Sequence, residues 1–193
     1  MAGRGLEIFP LHGIPEVQGG DILAELIAGA VTGAGDQSTL VDGDVVVITQ
    51  KVVSKAEGRL VDLDPEDPVA RRRLVEGEAV RVLRRRGELL ITETAHGFVC
   101  ANAGIDLSNV ARGRAALLPV DPDRSARRAR DGLRARLGVE VGVVVSDTFG
   151  RPWRRGATDV AIGCAGVAAV VDLRGHPDAL GRPREVTEVA GAD

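Results

Sequence analysis

The sequence predicts a mixed α/β fold, in which mixed sheets are flanked by helices, and three observations support this prediction. Two β-branched runs, at residues 45–49 and 143–145, are typical of strands that are buried on both faces. Helical patterns lie between the strand patterns, but the strands are spaced too irregularly for a simple doubly wound sheet. The chain has 193 residues, of which 44% are apolar, and this is enough to bury the core of one domain spanning residues 1–193.

Runs of β-branched and other apolar residues predict nine strands along the chain. Pro10 ends the first strand, His96-Gly97 forms the turn between the third and the fourth, and the sixth is expected to stop at Ser146. In chain order, the predicted strands cover residues 6–9, 45–49, 89–94, 98–101, 117–118, 143–145, 158–164, 167–171 and 185–189.

Three helices are predicted from the residues that begin them. Asp21 can cap a helix whose apolar side chains share one face and which ends within residues 33–36. Asp64-Pro65-Glu66-Asp67 supplies the proline and the acidic residues that favour a second helix start, and Asp121-Pro122-Asp123 begins a third helix. Two arginine runs are expected on the solvated face of the second helix, at residues 71–73 and 84–86.

The composition argues against nucleic-acid binders and membrane proteins. The net charge is −3, aromatic residues make up 2% of the chain and tyrosine is absent, so the basic and stacking surfaces of nucleic-acid binders are not expected. No apolar run reaches transmembrane length, and the amino terminus has no signal-peptide core. Cys100 and Cys164 make no CxxC pair and are expected as buried thiols in a reducing compartment. We therefore expect a cytoplasmic protein.

Three polar clusters each lie beside a buried strand pattern, at residues 50–55, 102–109 and 146–155. Two aspartates from different loops and a threonine hydroxyl would suit Mg²⁺ or Mn²⁺, because both ions prefer oxygen ligands. Lys51 and Lys55 are the only lysines among 25 basic residues, which suggests a role for a compact ammonium group. Together the clusters favour phosphoryl chemistry on a metal–nucleotide complex.

Each cluster also fits an ordinary loop, in which a residue such as Asp147 accepts hydrogen bonds from nearby backbone amides. The familiar nucleotide signatures GxxxxGK[ST] and GxGxxG are missing, and so are HExxH and GxSxG. The three histidines, His12, His96 and His176, have no ligand spacing and are expected to be surface or structural residues.

Five segments, taken in order, resemble the coenzyme F-420:L-glutamate ligase family, the gamma-glutamyl ligases of deazaflavin coenzyme maturation. The match extends over nearly the whole chain in order, and several motifs in register are more specific than any one of them. The segments are FPLHGIPEVQGGD (9–21), ITQKVVSKAEGR (48–59), NAGIDLSNV (102–110), LLPVDPDRSA (117–126) and VSDTFGRPWRRGATDVAIG (145–163).

The resemblance implies a two-lobed α/β ligase-like domain that forms a homodimer. It also implies GTP-dependent attachment of L-glutamate to the coenzyme F-420 precursor, in which an acyl phosphate of the acceptor is attacked by the glutamate amine. Mg²⁺ or Mn²⁺ is the implied metal ion, GTP is the co-substrate, and K⁺ is an additional candidate ion.

The family's site residues can be carried over to matching positions of this sequence. The implied metal ligands are Asp106, Asp147 and Thr148. From their charge and place, Arg154 and Arg155 are expected to hold phosphate or substrate carboxylate groups. No catalytic base is indicated. The implied guanine-nucleotide contacts are Ile14, Pro15, Glu16, Val17, Gln50, Lys55 and Asn109.

Family chains continue past the position of Asp193, through a helix and a glycine-rich acidic loop that touches nucleotide. We therefore expect this chain to lack the carboxyl-terminal part of the family fold. An alternative function follows from that expectation, namely a truncated or inactive relative that acts as a nucleotide-binding or dimerisation module. A metal-dependent phosphatase is a third possibility, but no phosphatase signature supports it.

Overall fold

The structure, a computed structural model, describes residues 5–33 and 39–193. Within these residues it contains both helices and strands, which confirms the mixed α/β class. The helices are α1 (Leu23–Gly33), α2 (Gln50–Ala56), α3 (Pro68–Glu78) and α4 (Pro122–Leu137). The strands are β1 (Val45–Thr49), β2 (Leu60–Asp62), β3 (Ala79–Arg86), β4 (Leu89–Thr94), β5 (Val99–Ala101), β6 (Arg114–Ala116), β7 (Gly142–Gly150), β8 (Ala157–Ala165), β9 (Val170–Asp172) and β10 (Glu188–Ala190).

A three-stranded sheet with the order β1-β7-β8 forms the centre of the fold. β1 and β7 are parallel, and their register runs from Val45 opposite Gly142 to Thr49 opposite Ser146. β8 pairs with β7 in the antiparallel direction, so the sheet is mixed as predicted. The other sheets are β3-β4-β5, β2-β6 and β9-β10, and the described pairs in them are antiparallel.

The main hydrophobic core lies on one face of the central sheet. α4 packs on β7 and β8, and α1 packs on α4. Val143 and Val145 are completely buried, as the β-branched run predicts, and so is Leu133 of α4. A smaller cluster forms where α3 meets β3 and β4, around Val75 and Leu90. The two buried clusters give the fold its two separately packed lobes.

Two of the predicted helix starts are confirmed by their caps. The carboxylate of Asp121 accepts a hydrogen bond of 2.8 Å from the backbone of Arg124 at the start of α4. Asp67 caps α3 in the same way, and the proline of the first turn is Pro68 rather than Pro65. α1 ends at Gly33, and the rest of the predicted end, at 34–36, lies outside the described residues.

The predicted strand at 6–9 is wrong. The segment has no regular secondary structure, because a strand needs a hydrogen-bonded partner and no described strand pairs with it. The expected position of residues 84–86 on the second helix is also wrong, since α3 ends at Glu78 and these arginines lie in β3. A turn at Gly87, with φ of +60°, joins β3 to β4 and makes a hairpin instead.

Some strand boundaries differ because tertiary pairing, rather than composition, fixes them. β7 does not stop at Ser146 but continues to Gly150, since β8 remains paired with it along this length. The strand expected at 117–118 lies earlier, as β6, and these two leucines are buried without belonging to a strand. The last two strands, β9 and β10, each begin three residues later than predicted. The sequence patterns did not reveal α2 or β2.

None of the helices in the described part of the chain is long and apolar enough to cross a membrane.

The pairing of β4 with β5 around the His96-Gly97 turn is confirmed. His96 is structural, as predicted, because its Nε2 lies 2.8 Å from the carbonyl oxygen of Pro119.

We predict that Gly163→Ala lowers the free energy of unfolding by about 1–3 kcal/mol, since α4 leaves no room for a methyl group. A β-carbon at position 163 would lie 2.4 Å from the carbonyl carbon of Pro122 and 2.6 Å from the backbone nitrogen of Asp123. Urea denaturation followed by circular dichroism measures the loss. Gly29→Ala in α1 is the matched control, because a β-carbon there meets nothing within 4 Å. Equal stability of both variants would contradict this close approach.

Candidate metal and nucleotide site

Lys51 joins two of the predicted polar clusters. β1 ends at Thr49 and α2 begins at the next residue, so Lys51 lies in the first turn of that helix. Its Nζ atom lies 2.8 Å from Oδ2 of Asp106 and 2.9 Å from Oγ of Ser108. Only 16% of the Lys51 side chain is exposed. The ion pair therefore fixes the 102–109 loop against the start of α2.

The loop that carries Asp106 is held by its own backbone. Asp106 exchanges two backbone hydrogen bonds with Ala116, of 2.9 and 2.8 Å. The Ser108 amide donates to the Asp106 carboxylate at 2.7 Å. Asn102 and Ala103 have φ values of 50° and 54°, a left-handed conformation that is uncommon for residues other than glycine. These hydrogen bonds hold the loop in one conformation and fix the position of the Asp106 carboxylate.

The carboxylates of Asp106 and Asp147 lie within electrostatic range of each other. Burial raises the pKa of Asp147, and the negative charge of Asp106 raises it further, whereas Lys51 acts in the opposite direction. Burial would also raise the pKa of Asp106, but hydrogen bonds from Lys51 and Ser108 outweigh burial and hold this pKa below its usual value. Lys51 thus pairs directly with Asp106, and the charges of Asp106, Asp159 and Lys51 all act on Asp147.

Cys100 lies close enough to Asp147 for the charge of the aspartate to affect the pKa of the thiol. Burial and that charge raise the pKa of the Cys100 thiol to about 11, so it is a neutral thiol at physiological pH. The sequence prediction of a buried, unpaired cysteine is confirmed for this residue. Cys164 is also free but only partly buried.

Thr148 does not face the same way as Asp147. The two residues are successive in β7, and successive side chains of a strand point to opposite faces of the sheet. The Thr148 hydroxyl donates a hydrogen bond of 2.6 Å to Asp159, its partner across the β7–β8 pair. In the described residues no group of three or more His, Cys, Asp and Glu side chains is placed to hold a metal ion. Of the three predicted ligands, Asp106 and Asp147 are thus close enough for their charges to interact, whereas Thr148 is hydrogen-bonded to Asp159.

A groove of about 760 Å³ lies between the amino-terminal segment and β1. The predicted nucleotide loop at 14–17 and Lys55 both line it, and the ammonium group of Lys55 makes an ion pair with Glu16. This volume is in the range of small-molecule sites. Thr49 also lines the groove and pairs with Ser146, the residue before Asp147. On this side the groove lining therefore ends at Thr49, one strand away from Ser146, and it includes neither Asp106 nor Asp147.

The other predicted nucleotide contacts lie outside the groove lining. Gln50 is 1% exposed, and its amide donates hydrogen bonds to Ser54 Oγ at 2.7 Å and to the Leu117 carbonyl at 2.9 Å. It therefore attaches α2 to the segment after β6. Asn109 is exposed and has a φ of 52°.

Arg154 and Arg155 lie in the exposed turn between β7 and β8. Within the described residues, neither side chain forms an ion pair. Arg151 stiffens the turn by donating to the carbonyl oxygens of Gly156 and Arg155, at 3.0 and 2.6 Å. Both predicted clamps are therefore free to contact an anion at this end of the hairpin.

Sequence reasoning gave no specific role to three side chains of this site: Lys51, Ser108 and Asp159. The rarity of lysine was a signal for Lys51 as much as for Lys55. Asp159 could be found only from the register of the β7–β8 hairpin, which the sequence did not reveal.

The carboxylate pair fits a hard divalent cation. Asp106 and Asp147 supply oxygen ligands, and the raised pKa of Asp147 means that its ionised form lacks sufficient compensation from the protein alone. Mg²⁺ commonly binds through one or two carboxylates, with water and substrate phosphates completing its coordination.

We predict that Asp147→Asn is more stable than the wild type at pH 7 in the presence of a chelator. An acid whose pKa is raised by folding keeps its proton more readily in the folded state, so its ionisation opposes folding above that pKa. The advantage of the variant should therefore shrink as the pH falls towards the ordinary range of an aspartate.

Urea unfolding at a series of pH values between 4 and 8 measures this difference. Asp131→Asn is the matched control, because the Asp131 side chain is 71% exposed on α4 and its loss should change stability by less than about 0.5 kcal/mol. A wild type that is the more stable protein at pH 7 would show that the ionised Asp147 is well compensated.

Comparison with known proteins places the chain in a family. The family model described as F420-0:Gamma-glutamyl ligase matches residues 13–193. The chain is 43% identical to the coenzyme F420:L-glutamate ligase of Methanothermobacter thermautotrophicus, over 98% of this chain and 80% of that protein. It is 44% identical to the protein of the same name from Methanopyrus kandleri, over 98% and 79%.

A third protein of this name, from Methanocaldococcus jannaschii, is 38% identical over 98% of this chain and 79% of its own length. The family match covers Asp106, Asp147, the β7–β8 hairpin and the groove lining from Ile14 onwards. The chain therefore belongs to the F420-0:gamma-glutamyl ligase family.

Proposed function

We propose that the chain is a ligase that joins L-glutamate to the coenzyme F-420 precursor and that uses GTP and a divalent metal ion. The observation that carries the proposal is the start of α2, where Lys51 pairs with Asp106 and Lys55, one turn later, lines the groove with the loop at 14–17. The relatives' names, coenzyme F420:L-glutamate ligase, supply the reaction class.

Amide formation from a carboxylate needs activation of the acid, and GTP would provide it. An oxygen of the acceptor carboxylate attacks the γ-phosphorus, the bond from this phosphorus to the β–γ bridging oxygen breaks, and GDP leaves. The glutamate amine then attacks the acyl carbon, inorganic phosphate leaves, and the amine loses a proton to a base or to water. Positioning and charge neutralisation are what a protein must supply for the phosphoryl step.

In this proposal Asp106 and Asp147 hold Mg²⁺ or Mn²⁺. Such an ion neutralises charge that develops on the transferred phosphoryl group. Thr148 is the third proposed ligand, and its hydroxyl would have to leave Asp159 or bring that carboxylate with it. Because Thr148 and Asp147 face opposite sides of the sheet, a single ion bound to both side chains would require a local change in β7.

The proposed nucleotide contacts divide into two groups. The loop at 14–17 and Lys55 line the groove and would contact GTP directly. Lys55 would have to leave its ion pair with Glu16 and contact a phosphate oxygen instead. This exchange is favourable because a phosphate carries more negative charge than a carboxylate. Gln50 and Asn109 remain proposed contacts. Arg154 and Arg155 would receive the anionic groups of the acceptor at the tip of the β7–β8 hairpin.

We predict that the protein incubated with GTP, Mn²⁺, L-glutamate and the precursor yields a product heavier by one glutamate residue. GDP and phosphate should form in amounts equal to the product. Asp147→Ala should lower the rate about 100-fold or more, because metal-assisted charge neutralisation contributes several kcal/mol. Mass spectrometry and phosphate release measure both quantities.

Asp131→Asn is again the matched control, since it removes an exposed carboxylate remote from the groove lining and should leave the rate unchanged. An unchanged yield for Asp147→Ala would show that Asp147 is not a metal ligand in the reaction. Binding of GDP and Mn²⁺ without any product would favour a nucleotide-binding module, and phosphate release that does not need the acceptor would favour a phosphatase.

The homodimer and a supporting K⁺ ion stay predictions. Sedimentation of the purified protein would decide between one chain and two.

A further inference from the structure

The position of Lys51 is unusual for a lysine side chain. Lysines normally extend their ammonium group into water, whereas 84% of this side chain is covered and its Nζ atom contacts oxygens of Asp106 and Ser108. Arginine supplies all but two of the 25 basic residues of the chain. A compact ammonium is therefore placed against Asp106, where its charge also acts on Asp147.

The charge of Lys51 and the charge of a divalent ion would act on the same carboxylates. The ammonium group lies 2.8 Å from Oδ2 of Asp106 and lowers the pKa of both Asp106 and Asp147. A metal ion bound to these carboxylates would lie within a few ångströms of Nζ, and two cations at that distance repel each other. Lys51 in its present position must therefore weaken metal binding.

A second anionic partner is available to Lys51 when nucleotide binds. Lys55 is four residues further along α2, so the two lysines lie on one face of the helix, and Lys55 lines the groove. An ammonium group has three donors and binds phosphate oxygens well. A short rotation of the flexible lysine stem would move Nζ from Asp106 towards the groove.

We propose that Lys51 competes with the divalent ion for Asp106 and transfers to the nucleotide phosphates when the metal–GTP complex binds. This inference rests on the proposed function, since it assumes that a metal ion and GTP use this site. It makes Lys51 a positioning residue that couples the two ligands, because metal binds well only when phosphate draws the ammonium away. The metal ion and GTP would then bind as one complex rather than separately.

The proposal predicts two effects of opposite sign for Lys51→Met, which keeps the length of the side chain and removes its charge. Mn²⁺ alone should bind about tenfold more tightly, because a repelling charge is gone. GTP in saturating Mn²⁺ should bind about tenfold more weakly, because a phosphate contact is gone. Electron paramagnetic resonance of free Mn²⁺ measures the first affinity, and calorimetry measures the second.

A merely structural role for Lys51 gives a different result, since a loosened 102–109 loop would weaken both affinities. Lys51→Arg keeps the charge and should retain weak Mn²⁺ binding. Arg81→Met is the matched control, because Arg81 pairs with Glu93 at 2.7 Å on β3 and should change neither affinity. Circular dichroism confirms that each variant is folded.

Unchanged or weaker Mn²⁺ binding by Lys51→Met would overturn the inference, and so would equal tightening by Lys51→Met and Lys51→Arg. These results would leave the ligase proposal intact, provided that the wild type binds Mn²⁺. If neither the wild type nor any variant binds Mn²⁺, with or without GTP, the metal-dependent function itself fails and the inference fails with it.

Discussion

The ion pair between Lys51 and Asp106 joins the start of α2 to the 102–109 loop, and the charges of both residues act on the partly buried Asp147. Burial increases the free-energy cost of ionising Asp147, whose pKa is raised, and the charge of Lys51 offsets part of that cost. Such an arrangement opposes folding unless a cation is bound, because an ionised buried acid is destabilising when it is incompletely paired. A proposed metal ion at this location would therefore offset a cost that the folded chain carries without it.

The mixed central sheet explains how residues distant in sequence reach one location. β1 and β7 are parallel, so their carboxyl ends lie at the same edge, and the register puts Thr49 opposite Ser146. α2 begins directly after β1 and brings Lys51, while Asp147 follows Ser146 on β7. The third residue, Asp106, is held in place by its two backbone hydrogen bonds with Ala116. The core around Val143 and Val145 supports this edge from below.

The sequence was sufficient where a residue acts through its own chemistry. The β-branched runs, the Asp121 cap and the separate polar clusters were all visible in it, and so was the family. It was insufficient where position depends on a partner. The segment 6–9 has the composition of a strand but no partner, and β7 continues past Ser146 because β8 pairs with it. The opposite orientations of Asp147 and Thr148 likewise follow from strand alternation, which becomes known only when β7 is known to continue.

In the proposed ligase, one divalent ion binds between Asp106 and Asp147 when GTP is bound. Crystals grown with Mn²⁺ and a non-hydrolysable GTP analogue would test it by anomalous diffraction at the manganese edge. We expect a manganese peak within about 2.1 Å of a carboxylate oxygen of each aspartate. A manganese peak elsewhere, with neither carboxylate coordinated, would contradict it.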